Sequence, residues 1–168
     1  MLRYIMAATT RLEDNPYIVA LSLAEVGRGS EAVAKLRNLE EKIQTRMRDF
    51  MMAARTMIEG DSEGSIAAVG RIVASAFSDP EGLLYLTRHL AHLNQIDAAL
   101  ELFERVVAGG IFCHPAMSND PWLDPIRRRP QFVRLFERAE QQHQVAAREF
   151  IRLEGNRILG IATHTSRA

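Results

Sequence analysis

The chain has 168 residues, 47% of them hydrophobic and 25% charged, with 21 Lys and Arg set against 21 Asp and Glu. This balance fits a domain with a sizeable core and excludes disordered, collagen-like and low-complexity chains; zero net charge argues against direct binding to nucleic acid. A single cysteine excludes a disulfide framework and a cysteine-rich zinc site, and no apolar run approaches the roughly 18 residues of a membrane span, so a reducing, cytoplasmic setting without membrane contact is expected.

Apolar residues recur at spacings of three and four almost throughout, and strand-like alternation is absent, so the fold class is all-α. Over 1–15, Leu2, Ile5 and Met6 read as the second helix of an incomplete repeat, ended before Asn15-Pro16. From 16 to 110, a turn residue is followed five positions later by a small one: Gly27 by Ala32, Gly60 by Ser65, Asn94 by Ala99. Turn and small positions thus recur with one common period of about 34 residues. Leu36, Val69 and Phe103 each follow the small residue by four. Each repeat is therefore a helix, a tight turn and a second helix. The turn residue tolerates a left-handed conformation, and the small residue permits close helix approach. In the segment 111–155, Asp120 can cap a helical turn with Pro121 at its first position, leaving Trp122 and Leu123 to close the apolar end of the last repeat. The apolar positions Phe132, Phe136, Ala139, His143, Ala146, Phe150 and Leu153 then form a heptad seam. This predicts a long helix lying along the last repeat; its alternative use is homodimerisation through 132–153. Residues 156–168 read as a tail.

The stretches Leu23 to Leu39 and His89 to Arg105 resemble the tetratricopeptide-repeat family, whose unit is about 34 residues long, with a glycine in the turn and an alanine at the helix contact. The phrase from Asn119 to Phe132 is similar to the ending found after repeat arrays in bacterial nucleotide cyclases, transcriptional regulators and Ser/Thr kinases. Arg129 stands where that phrase has an acidic residue, which weakens the N-cap of the following helix. The resemblance implies a helical-hairpin solenoid of three repeats with a C-terminal capping helix. It further implies a noncatalytic protein–protein interaction module in bacterial signalling, with first helices lining a concave face that takes a peptide or a partner helix. By register, that face comprises Tyr17, Leu21, Met47, Phe50, Ala54, Ile58, Leu84, Arg88 and His92. Phe50→Glu and Arg88→Glu are then expected to weaken partner binding without loss of helicity. A sensory pocket for a small apolar ligand is the alternative from another class.

Groups capable of chemistry are sparse. His89 and His92 lie one turn apart and Cys113-His114 follows later, yet the spacing matches no common zinc signature, so no metal is expected. Gly60 to Gly64 lacks the Lys-Ser or Lys-Thr of a phosphate loop, and no nucleophile, base and orienting group share one register, so neither a cofactor nor an enzymatic activity is expected. Arg127, Arg128 and Arg129 read as solvated cations at a helix end. Charge is uneven: residues 61–110 carry three cations and seven anions, whereas 111–168 carry nine and six.

Overall fold

Asn15 opens the first helix. Its side chain accepts the Ile18 N–H at 3.3 Å, and Pro16 takes the first helical position, where no N–H partner is required. The computed structural model describes residues 15–111 and 113–160, and every regular element among them is helical. In chain order these are α1 (Pro16–Glu25), α2 (Gly29–Lys42), α3 (Met47–Ile58), α4 (Ser62–Ala74), α5 (Pro80–His92), α6 (Ile96–Ala108), α7 (His114–Ser118), a 3-10 turn (Pro121–Leu123), α8 (Asp124–Arg127), α9 (Pro130–Arg152) and α10 (Gly155–Ile158). They fall into two compact units, Met1–Asp79 and Pro80–Ala168. The expected helix around Leu2, Ile5 and Met6 lies outside the described residues, as does the tail beyond Gly160.

The three expected turns are one structure used three times. Gly27, Gly60 and Asn94 have φ of 81°, 84° and 58°. In each turn this residue's N–H bonds the carbonyl three positions back (Ala24, Met57, Ala91) at 3.0 Å. The next residue's N–H (Arg28, Asp61, Gln95) reaches the carbonyl five positions back (Leu23, Thr56, Leu90) at 2.8 Å. This pair of bonds satisfies carbonyls that the end of a helix would otherwise leave open. The small residues that follow, Ala32, Ser65 and Ala99, are all fully buried. Ser65, standing where the other repeats have alanine, donates its hydroxyl to the Ala53 carbonyl at 2.8 Å. Its polar atom is thus satisfied inside a close helix contact.

In the first unit α1 packs on α2 and α3, α2 on α3, and α3 on α4. The interior is marked by aromatics: Tyr17 meets Phe50 edge-on with ring centroids 5.9 Å apart, and Phe50 meets Phe77 at 5.3 Å. At the edge of α2 and α3, Arg55 donates to Glu40 at 2.6 and 3.2 Å and to Glu59 at 2.5 Å, and Arg37 also donates to Glu59. The hydrogen bonds to Glu40, followed by those to Glu59, raise the Arg55 pKa above its ordinary value against the effect of burial.

In the second unit the α5–α6 hairpin is followed by the capping segment and α9. Arg129 occupies the N-cap of α9 and makes no side-chain cap bond, as the sequence implies. Phe132 stacks on Phe103 of α6 at 4.7 Å and on Phe136 at 5.3 Å. The seam is buried only at its start, at Phe132 and Ala139; Phe150 and Leu153 are exposed. At the far end Glu154, with φ of 53°, makes the left-handed turn. Gly155 leaves room for the Phe150 ring, which a methyl there would displace.

Candidate interaction surface

The nine residues expected to face a partner divide sharply by exposure. Tyr17, Leu21, Phe50 and Ala54 are buried in the first unit, with Phe50 only 3% exposed between Tyr17 and Phe77. The register that aligns Tyr17 with Phe50, one repeat apart, brings equivalent positions of successive repeats into contact with each other. Met47, at the start of α3, is 42% exposed, and Ile58 and Leu84 are half-buried. Further along α3, Met51 is buried and Met52 accepts from Arg71.

Arg88 and His92 have a partner inside the chain. One helical turn apart on α5, they flank the indole of Trp122: the His92 ring stacks on it at 4.3 Å with planes 20° apart, and the Arg88 guanidinium carbon lies 5.3 Å from its centroid. Arg88 also forms an ion pair with Asp120, whose side chain is 7% exposed. Asp120 accepts the Trp122 N–H at 3.0 Å, the cap that the sequence predicts, so one carboxylate both starts the 3-10 turn and fixes it to α5. Arg127 adds a second tie, donating to the Asp120 carbonyl at 2.7 Å, to the Met117 carbonyl at 3.4 Å and to Asp124 at 2.8 Å. Of the three arginines read as solvated, only Arg128 and Arg129 are exposed. The capping segment therefore engages Arg88 and one face of the His92 ring, while His92 itself stays exposed. The aromatic and the aspartate were legible as a cap; their partners on α5 were not, because the contact depends on how the chain returns after Gly110.

His89, between them in sequence, is fully buried, and its pKa is lowered to about 4 by that burial and then by the neighbouring His92 and Arg88. Its imidazole is neutral at physiological pH. His114 lies against Phe136 at 4.3 Å and Cys113 is exposed. Among the described residues no group of three or more His, Cys, Asp or Glu is placed to hold a metal ion, and no helix is long and apolar enough to cross a membrane.

Comparison of the chain with protein-family models, curated proteins and solved structures gives no match.

Proposed function

We propose that the chain is a noncatalytic interaction module built on tetratricopeptide-like repeats, which takes a peptide or helix of a protein partner on the first helices of its hairpins. The observation that carries this reading is the recurrence of one turn at Gly27, Gly60 and Asn94, with the same two hydrogen bonds and a buried small residue each time. That is the spacing and contact scheme on which such repeats are built. The phrase from Asn119 to Phe132 supports a place in a bacterial signalling or regulatory protein. Within the register of the first unit, the exposed Met47 and the half-buried Ile58 are the partner contacts, and the buried Tyr17, Leu21, Phe50 and Ala54 set the spacing of the helices behind them. Methionine suits this role because its flexible thioether adapts to different apolar partners.

A paired thermal-shift screen tests the proposal, because anything that binds only the folded state raises the melting temperature. A library of amphipathic peptides is expected to contain stabilising members. Stabilisation by apolar small molecules alone, with none by peptides, would replace the proposal with a sensory pocket.

A further inference from the structure

Four of the eight cations described in the first unit are matched by carboxylates within it. Arg55 holds Glu40 at 2.6 Å and Glu59 at 2.5 Å, Arg37 also holds Glu59, Arg28 holds Glu31, and Arg71 holds Asp49 at 2.8 Å. Of the four left over, three gather at one place. Lys42 ends α2, Arg46 precedes α3 and Arg48 is in its first turn; all three are exposed and make no ion pair among the described residues. The Arg46 guanidinium lies 6.0 Å from the Phe77 ring, a contact that leaves its charge uncompensated. Glu41, the nearest acid without a pair, is nine residues beyond the buried Ala32, about two and a half turns, and so lies on the opposite face of α2. Between Arg46 and Arg48 stands Met47, 42% exposed. Ile58 follows it by eleven residues, a net rotation of about 20°, so these two side chains lie on one line along α3, about 16 Å apart.

We propose that the partner segment laid along α3 is acidic at one end: an apolar side chain covers Met47, and carboxylates on either side of it meet Lys42, Arg46 and Arg48. This rests on the partner-binding role above and adds the charge and the direction of the partner. Charge complementarity selects the acidic segment, because three cations without counter-charge repel a basic one and speed the encounter with an acidic one. The guanidinium forks of Arg46 and Arg48 match carboxylates with two parallel hydrogen bonds each. The apolar contact selects a peptide over a nucleic acid. A phosphate backbone has no use for Met47, and three cations supply few of the phosphate contacts on which such affinity rests. Direction follows from the other end of the line, where Glu59 beside Ile58 is already held by Arg55 and Arg37 and leaves no cation free. The partner's acidic end therefore lies at the start of α3. Its second apolar contact, on Ile58, comes about eleven residues away in a helical partner and about five in an extended one.

Fluorescence anisotropy of three designed amphipathic peptides with the full chain is the test. The peptides share one leucine face and carry Glu, Gln or Lys at the polar positions of one end. At about 50 mM salt the Glu peptide is expected to bind at least about tenfold tighter than the Lys peptide, with the Gln peptide between them. The difference should largely vanish at about 0.5 M salt, where exposed charges are screened within roughly 4 Å. Combining Arg46→Gln with Arg48→Gln is expected to weaken the Glu peptide about tenfold and the Gln peptide by no more than about twofold, with an unchanged far-ultraviolet spectrum. Arg128→Gln, at an exposed cation of the second unit, should alter neither. Binding without preference between the Glu and Lys peptides overturns this proposal alone, as does a Glu preference that the double variant retains. No binding by any of the three overturns it together with the partner-binding role. A DNA duplex that binds where the Glu peptide does not would assign the three cations to phosphate instead.

Discussion

The two units share a hairpin and differ in what closes it. In the first, a second hairpin does so: Tyr17 meets Phe50 from the next repeat, and Arg55 donates to Glu40. In the second, irregular chain and one long helix do so, with Trp122 set against Arg88 and His92 and Phe132 against Phe103. The turn is a local property, fixed by one residue that accepts a positive φ and by two backbone bonds. The lateral surface of a hairpin is not local; whatever segment follows fills it. Equivalent positions therefore have different fates, as with Phe50, which is buried, and Leu84, its counterpart in the following repeat, which is half-buried.

A glutamate placed at the closing contacts should break each unit hardest. Phe50→Glu places an unpaired carboxylate in the aromatic interior of the first unit, and Arg88→Glu sets a second acid against Asp120 in the other. Each is expected to destabilise its unit by about 3–5 kcal/mol, in place of the binding-only effect that sequence register suggests. Urea denaturation followed by circular dichroism checks both. The fluorescence of Trp122, the single tryptophan, reports on the second unit.

Acid should separate the units next. The folded pKa of His89 is depressed to about 4 from an ordinary 6.5, so the unfolded chain binds this proton more readily than the folded one. The corresponding stability is fully present above pH 6.5 and is lost progressively as pH falls toward 4, to a total of about 3 kcal/mol. Unfolding midpoints read by Trp122 between pH 7 and pH 4 should show this decline, and His89→Gln should flatten it. An unchanged slope in that variant would assign the acid sensitivity elsewhere.

The shared turn should give the smallest and most uniform effects. Gly27→Ala and Gly60→Ala each force a β-carbon into the left-handed region, at about 1 kcal/mol, and Asn94→Ala removes a side chain that tolerates it. Asn94→Ala should lose least, because asparagine already carries a side chain there. Thermal melts of the three variants test whether the turn is equivalent in both units; a loss at only one position would contradict it.

Much of the architecture was legible because it rests on local rules. Gly27, Gly60 and Asn94 marked the turns, Ala32, Ser65 and Ala99 the close contacts, and Asp120-Pro121 the cap, each within a few residues of the feature it specifies. The surface was less legible. Register correctly put Tyr17 and Phe50 in equivalent positions, but it could not distinguish facing a partner from facing one another, because that depends on the tilt between hairpins. Arg88 and His92 show the same limit, since their partner Trp122 lies far along the chain, beyond the whole of α6. The α9 seam read as continuous from Phe132 to Leu153, though thin at Ala139, His143 and Ala146, and only the length of α6 decides where its burial stops.

Calorimetric titration of a peptide selected on the wild-type chain into Met47→Glu and Ile58→Glu, both on α3 of the first unit, addresses the central claim most directly. Both substitutions are at accessible or half-buried positions on first helices, where changes in stability should stay within about 1 kcal/mol. The account predicts at least tenfold weaker binding in each variant with a melting temperature close to that of the wild type. Wild-type affinity in both variants would contradict it.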